Sequence, residues 1–215
     1  MGEKRLGAAG GVGAAGGVDG AGAGGWDGAG GGRDGGAGRG PHILLIGFMG
    51  AGKSSVGWAL AECLGLLCLD ADRQIECDLG CTISEFFASA GEAAFREREL
   101  AFLQGLGAME QRAVVACGGG IVTLPACRAE LRRQGFVVWL DARPSTVFCR
   151  ITETESRPLL TDQKAAEELY ERRLPWYESC ADLRIDTEGL SLDEVVDGLL
   201  DSLLWLGVVT GPLAY

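Results

Sequence analysis

Short apolar runs alternate with amphipathic segments along most of this chain. Four runs of four or five residues have the apolar character of buried strands, and they lie at residues 43–46, 66–69, 114–117 and 136–140; residues 183–186 are predicted as a fifth strand. The segments between them predict helices at residues 53–64, 72–79, 83–89, 91–110, 125–134, 144–152, 165–180 and 191–206. Because strands separated by helices form right-handed crossovers, the pattern predicts an α/β fold, a three-layer α/β/α arrangement with a five-stranded parallel sheet.

Three local signals refine this pattern. Ser191 and Glu194 form a capping box at the start of the last predicted helix. Pro175 lies inside a helical pattern and predicts a kink or a break there. The polar stretch at residues 152–164 has no apolar periodicity, which makes it the candidate for a mobile lid beside a substrate-binding helical segment.

The two ends of the chain differ from its middle. Nineteen of the first forty residues are glycine, without apolar periodicity, so we expect residues 1–40 to be a disordered tail. Residues 207–215 form a short C-terminal tail to which the sequence assigns no role. The folded domain is therefore expected at residues 41–206.

The charge of the chain limits its partners. The formal net charge is −11, and the first forty residues carry four basic and four acidic side chains, so the excess lies on the folded part. An acidic domain is a poor general nucleic-acid binder, and we expect no nucleic-acid partner. No run of eighteen or more apolar residues exists, so we expect no membrane span.

Cysteine and histidine usage exclude some chemistries. The eight cysteines include no C-x-x-C pair, and His42 is the only histidine, so neither a zinc site nor a histidine-activated nucleophile is expected. Cys68, Cys117 and Cys149 stand in apolar surroundings and are expected to be buried thiols. Thiols of this kind indicate a reducing compartment, and we expect a cytoplasmic protein.

The residues after the first predicted strand match a phosphate-binding pattern. Gly47 to Ser54 reads G-x-x-x-x-G-K-S, in which glycines let several N–H groups point into one concavity and the next helix adds its own. Lys53 is placed to reach the β and γ phosphates of a nucleoside triphosphate, and the Ser54 hydroxyl is a ligand for Mg²⁺. The alternative is an ordinary strand–turn–helix connection, which Phe48-Met49 followed by Lys53 fits poorly.

Aspartates and glycines follow the second and third predicted strands, at the edge where open α/β sheets bind ligands. Asp70 and Asp72 alternate by two, so on an extended strand end both side chains point to one side, toward a metal-bound water and a substrate hydroxyl. The alternative is a solvated loop in which Asp72 caps the next helix. Gly118, Gly119 and Gly120 permit close approach of the backbone to a ligand, or form a flexible loop.

Four arginines are candidates for binding anionic groups. Arg96 and Arg173 lie in helical patterns, where an arginine fork would fit a carboxylate, and Glu99 is placed to hold Arg96. The alternatives are a surface helix with ion pairs for Arg96 and a helix-end cation for Arg173. Arg150 and Arg157 flank the lid candidate, where they would bring positive charge to phosphates or remain exposed in a loop.

From residue 43 to about residue 204 the chain resembles shikimate kinases of the bacterial and plant type. The resemblance rests on several motifs in the family's order: the phosphate pattern, Asp70-Ala71-Asp72, Ile83-Ser84-Glu85-Phe86-Phe87, Gly91-Glu92, Phe95-Arg96-Glu97-Arg98-Glu99, the three glycines, Arg157-Pro158-Leu159-Leu160 and Arg173-Leu174-Pro175-Trp176-Tyr177. Trp176 stands where the family has leucine. Tyr177 is expected in the core.

The resemblance implies ATP-dependent phosphorylation of the 3-hydroxyl of shikimate, with Mg²⁺ as cofactor and ATP as co-substrate. We expect a monomer whose partners are ATP and shikimate. The implied ATP-binding residues are Gly50, Ala51, Gly52, Lys53, Ser54, Ser55, Arg150 and Arg157. The implied substrate-binding residues are Asp72, Arg96, Gly118, Gly119, Gly120 and Arg173. The implied metal ligands are Ser54 and Asp70, and the implied catalytic residues are Lys53, Asp72 and Arg157.

Two other functions remain open from the sequence. Another small-molecule kinase of the same architecture, such as a gluconate kinase, would also bind a hydroxylated carboxylate. A catalytically silent relative that only binds ligands is the second alternative, although such proteins are expected to lose the lysine of the phosphate pattern or a substrate arginine, and this chain retains both.

Overall fold

The computed structural model describes residues 40–150 and 163–210, with the side chains of all but residues 148–150. Five strands form one sheet in the order β2-β3-β1-β4-β5, and every neighbouring pair is parallel. The strands are β1 (His42–Ile46), β2 (Leu67–Asp70), β3 (Ala113–Ala116), β4 (Gly135–Asp141) and β5 (Leu183–Asp186). The helices are α1 (Lys53–Leu64), α2 (Ala71–Leu79), α3 (Ile83–Leu106), α4 (Pro125–Gln134), α5 (Pro144–Arg150), α6 (Gln163–Cys180) and α7 (Leu192–Trp205).

The central strand β1 is buried on both faces of the sheet, because its side chains alternate between two apolar cores. Ile43 and Leu45 pack in one core with side chains of α1 and α7. Leu44 and Ile46 pack in the other core with side chains of α3, α4 and α6. The predicted three-layer α/β/α fold with a five-stranded parallel sheet is confirmed.

Three local predictions are wrong. Helix α3 ends at Leu106 rather than near residue 110, and Gly91, with φ 82° and ψ 169°, divides it into the two predicted segments. Helix α6 continues through Pro175, so the break that was one of the two outcomes predicted there does not occur. Helix α2 begins at Ala71, so Asp72 lies in its first turn and not on an extended strand end.

Several predictions concern residues outside the described part. The tail at 1–39 and residues 211–215 lie there, as does nearly all of the predicted lid, whose last two positions open α6. Within the described ranges, no helix is long and apolar enough to cross a membrane. The seven cysteines in these ranges whose side chains are described are free; Cys117 is buried as predicted, whereas Cys68 is partly exposed.

Candidate active site

The phosphate loop, residues 47–54, joins β1 to α1 and curls around the Lys53 ammonium group. Lys53 Nζ donates to the carbonyl oxygens of Gly47, at 3.0 Å, and of Phe48, at 2.9 Å. Gly50 and Gly52 have φ angles of 77° and 86°, which glycine adopts without strain. No side chain caps the N-terminus of α1, so its first N–H groups and its positive dipole end suit an anion.

Hydrogen bonds of the Asp70 carboxylate join α1 to the end of β2, beside the phosphate loop. Ser54 Oγ donates to Asp70 Oδ2 at 2.6 Å, and Asp70 Oδ1 accepts from the Arg73 N–H at 3.2 Å. Asp70 is therefore the N-cap of α2, the position for which the sequence suggested Asp72. Ser55 lies exposed in the first turn of α1, and Ala51 is buried in the loop.

The glycine turn, formed by Gly118, Gly119 and Gly120 after β3, lies against the phosphate loop. A Cβ at Gly119 would stand 3.0 Å from the Met49 backbone nitrogen. A Cβ at Gly118 would stand 2.6 Å from Asp72 Oδ1. The absence of side chains thus lets the turn approach both the phosphate loop and Asp72 closely.

The two arginines of the predicted substrate set reach this same turn. Arg96 lies beside Gly120 and donates to Glu99 Oε2 and to Glu92 Oε1, each at 2.6 Å. Arg173, which is 5% exposed, donates through one terminal nitrogen to the Gly119 carbonyl oxygen at 3.1 Å. The structure therefore brings both guanidinium groups to the phosphate-loop side of the sheet, as the sequence predicts.

Burial changes the acid–base behaviour of this cluster. Glu99 is fully buried, and loss of solvation raises its pKa to about 7, although Arg96 and Arg173 act in the opposite direction. The hydrogen bond from Arg96 lowers the pKa of the more exposed Glu92. In the described part of the chain, Arg96 Nε, Glu99 Oε1 and Arg173 Nε are buried without a hydrogen-bond partner.

Two predicted residues cannot be placed in this geometry. Arg150 is the last residue of α5, with a side chain outside the described set, and Arg157 lies between the two described ranges. Sequence reasoning also missed two contacts. Glu92 pairs with Arg96, a relationship that the i,i+4 spacing signals, and the Tyr177 hydroxyl donates to the Gly119 carbonyl oxygen at 2.6 Å. No signal in the sequence indicates the second contact.

The parallel sheet, the phosphate loop and the facing arginine cluster define a P-loop kinase that acts on a small anionic acceptor. The model of the family "SKI: Shikimate kinase" matches residues 49–204. A shikimate kinase of Symbiobacterium thermophilum is 40% identical over 167 residues, which cover 75% of this chain and 95% of the relative. The chain belongs to the shikimate kinase family.

Solved structures agree with this assignment. Shikimate kinase from Acinetobacter baumannii, solved in complex with shikimate, is similar with a TM-score of 0.72 and 34% identity, over 79% of this chain and 96% of that one. A gluconokinase from Sinorhizobium meliloti has a TM-score of 0.52 at 22% identity, over 78% of this chain and 94% of that one. The second likeness shows only that the two proteins share a fold.

Proposed function

We propose that this enzyme transfers the γ-phosphoryl group of ATP to the 3-hydroxyl of shikimate. The observation that carries the proposal is the convergence of Arg96, Glu99 and Arg173 on the glycine turn, with one buried, unpartnered polar atom on each. A buried polar atom without a partner costs about 1–3 kcal/mol, so the arrangement favours a ligand that supplies the missing partners. The complex of the Acinetobacter relative supports shikimate as that ligand.

The acceptor side of the site divides into charge and hydroxyl recognition. Arg96 and Arg173 would bind the shikimate carboxylate, because an arginine fork offers two parallel hydrogen bonds to it. Asp72 Oδ1, beside Gly118, would accept from the 3-hydroxyl and take its proton as the phosphoryl group arrives. Backbone atoms of Gly118, Gly119 and Gly120 would line the substrate.

The donor side holds ATP through backbone and charge. Gly50, Ala51, Gly52 and Ser55 would contribute loop and helix N–H groups to the phosphates, and Lys53 would neutralise their charge. Arg157 would reach the transferring phosphoryl group, and Arg150 would lie against the adenine. Phosphoryl transfer depends mostly on such positioning and neutralisation, so no covalent intermediate with the protein is needed.

The residues beside the phosphate loop fit a magnesium ion. Ser54 and Asp70 offer a hydroxyl and a carboxylate already in contact, and Mg²⁺ prefers one or two such oxygens together with substrate phosphates. Among the described residues, no cluster of three or more His, Cys, Asp or Glu side chains forms an all-protein metal cage. Ser54 and Asp70 would therefore hold Mg²⁺, which when bound neutralises charge on the β and γ phosphates.

The wider assignments follow from the charge and thiol content. The enzyme would be a cytoplasmic monomer with its domain at residues 41–206 and with no nucleic-acid or membrane partner. The acidic net charge is consistent with the lack of a nucleic-acid partner, and the free thiols at the seven cysteines described are consistent with the cytoplasm.

A coupled assay of ADP release tests the proposed reaction with shikimate, with gluconate and without an acceptor. We expect turnover with shikimate alone, and loss of that turnover in Lys53→Met, whose melting temperature should stay close to that of the wild type. Turnover with gluconate but not with shikimate would make the chain a gluconate kinase in activity. ATP binding without turnover on either acceptor would make it a silent relative.

A further inference from the structure

Tyr177 touches the substrate side of the site through one atom. The tyrosine lies on α6, is completely buried, and donates its hydroxyl to the Gly119 carbonyl oxygen at 2.6 Å. Burial raises the pKa of Tyr177 above its usual range, while the charge of Arg173 and a hydrogen bond with it act in the opposite direction. The hydroxyl therefore remains a protonated donor throughout the working pH range.

The same carbonyl oxygen receives a second donor. Arg173 stands one helical turn before Tyr177, on the same face of α6, and also donates to the Gly119 oxygen, at 3.1 Å. A guanidinium group that turns to a substrate carboxylate has to give up part of this contact. The two hydrogen bonds to this oxygen are partly buried, so the carbonyl would lose a protein partner on release of Arg173 unless another donor remains.

The aromatic ring of Tyr177 is held from the sheet side. It stacks on Trp139 of β4 with ring centroids 5.8 Å apart and an interplanar angle of 18°. The Arg184 guanidinium lies over the same Trp139 ring, 4.7 Å from its centroid. Because the ring packs against buried Trp139, its hydroxyl is a fixed donor, whereas the Arg173 guanidinium is carried on a longer side chain with more rotatable bonds.

Gly119 is also the point where the acceptor side meets the donor side. A Cβ at this residue would lie 3.0 Å from the Met49 nitrogen and 3.5 Å from the Gly47 oxygen, both in the phosphate loop. A displacement of the Gly119 peptide would therefore change the separation between the shikimate pocket and the phosphates.

From these contacts we infer that Tyr177 is a positioning residue for shikimate: its hydroxyl keeps the Gly119 carbonyl bonded and so releases Arg173 to bind the substrate carboxylate. This inference rests on the proposed function, in which Arg173 binds that carboxylate. Tyr177 itself touches no reacting atom. Its contribution belongs to substrate affinity and not to the chemical step.

Replacement of Tyr177 by phenylalanine removes the hydroxyl and keeps the stacked ring. In Tyr177→Phe, we expect the KM and the directly titrated Kd for shikimate to rise by about 5- to 20-fold. Without the tyrosine hydroxyl, the Gly119 carbonyl and the substrate carboxylate compete for the Arg173 guanidinium. The kcat and the KM for ATP should stay within about twofold of the wild type. A change confined to kcat, or an unchanged Kd for shikimate, would overturn the inference.

Tyr170 provides the matched control on the same helix. It is 6% exposed, and its hydroxyl donates to Asp141 Oδ1 at 2.6 Å, away from the glycine turn. Tyr170→Phe therefore loses a buried tyrosine hydrogen bond of the same length. We expect it to lower the melting temperature about as much as Tyr177→Phe while leaving the shikimate Kd unchanged. Equal changes in Kd in both variants would show a general effect of destabilisation and would overturn the inference.

A double-mutant cycle separates action through Arg173 from action on the turn alone. If Tyr177 works by releasing Arg173, then Tyr177→Phe should change the shikimate Kd by less than about twofold in an Arg173→Ala background. An undiminished effect there would contradict the mechanism. If Tyr177→Phe does not fold, Trp139→Phe replaces it in the same cycle, because this variant loosens the packing of the Tyr177 ring but keeps the hydroxyl. We expect the shikimate Kd to rise by about 2- to 5-fold in Trp139→Phe and to show no such rise in an Arg173→Ala background.

The outcomes also separate this inference from the proposed function. Absence of shikimate turnover in the wild type would refute the proposed function itself. Normal wild-type turnover together with an unchanged Kd in Tyr177→Phe would refute only the role of Tyr177.

Discussion

Ser54 and Asp70 are joined by a 2.6 Å hydrogen bond that links the first turn of α1 to the end of β2. The two residues are sixteen positions apart in the sequence, Ser54 in the first turn of α1 and Asp70 as the last residue of β2. Asp70 uses its other oxygen to cap α2. One carboxylate therefore orients both Ser54, the proposed metal ligand, and the helix that carries Asp72.

The magnesium requirement is the direct test of this pair. In Asp70→Asn, the side chain can still cap α2 but has no charge, so we expect the Mg²⁺ concentration for half-maximal activity to rise by at least about tenfold, with little change in melting temperature. Ser54→Ala should act in the same direction. Asp78→Asn, on the exposed face of α2, is the control and should leave the titration unchanged. A normal Mg²⁺ titration in both site variants would refute the metal assignment.

Asp72→Asn should abolish most of the turnover without unfolding the protein. Loss of the proton acceptor is expected to lower kcat by about 10²- to 10⁴-fold, measured by ADP release at saturating substrates. Asp72 lies in the first turn of α2, so part of any fall in melting temperature comes from the helix dipole. Asp193→Asn, the same change in the first turn of α7, measures that part. A kcat within threefold of the wild type would remove Asp72 from the chemistry.

Arg173→Ala should act mainly on shikimate binding. Removal of a buried partner of the carboxylate is expected to cost about 2–4 kcal/mol, which is roughly a 30- to 1000-fold rise in the KM for shikimate. The neighbouring Arg172 is exposed on the same helix, and Arg172→Ala serves as the control with an unchanged KM. If Arg173→Ala also leaves this KM unchanged, Arg173 does not bind the carboxylate.

The pH dependence of stability should contain a contribution from Glu99. Its pKa in the folded protein, about 7, is higher than the ordinary value of 4.5, because burial disfavours the charged form more strongly than Arg96 and Arg173 favour it, and Asp72 adds to the rise. The folded state therefore binds a proton that the unfolded chain releases. The stability from this group is complete below about pH 4.5 and is lost as the pH rises through about 7.

In Glu99→Gln, we expect the fall in the free energy of unfolding between about pH 5 and 8 to be shallower, by up to about 3 kcal/mol. Urea unfolding at several pH values measures the slope, so the constant effect of the substitution cancels. The pKa of Glu92 is shifted downward, so Glu92→Gln should leave the slope in this range unchanged. Identical slopes in the wild type and Glu99→Gln would show that Glu99 is ionised across the range.

Deletion of residues 1–39 tests the domain assignment. The shortened chain keeps Gly40, whose N–H donates to the Arg133 carbonyl oxygen at 2.6 Å, and a Cβ at Gly40 would collide with the backbone of Gln134. We expect the melting temperature and both KM values to match those of the full chain. A large loss of stability or activity would place part of the tail in the functional domain.

Four of the strands were predictable because each contains a short, continuous apolar run; β5, in which apolar and polar residues alternate, was predicted as well. All five occur where the pattern places them, with ends shifted by at most one residue. Their order in the sheet could not be read from the pattern, because it depends on contacts between residues far apart in sequence, such as Leu45 with Ala116 and with Val138.

The misplaced details share a tertiary cause. Spacing alone suggests that Asp70 and Asp72 share one side of a strand, but Ser54 fixes Asp70 in a capping geometry and α2 begins one residue later. Pro175 predicted a kink or a break, yet α6 continues through this exposed position, where water can solvate the carbonyl oxygen that loses its N–H partner. The apolar character of Tyr177 indicated a core residue correctly, but the partner of its hydroxyl is 58 positions away.

The glycine turn presents only main-chain atoms to the proposed shikimate pocket. A methyl group added at Gly118 would strike Asp72 and Glu99, one at Gly120 would strike Arg96, and one at Gly119 would crowd the phosphate loop. An inhibitor that hydrogen-bonds to these peptide groups would therefore leave few routes to resistance. A side chain introduced at the turn to displace the inhibitor would also disable the enzyme.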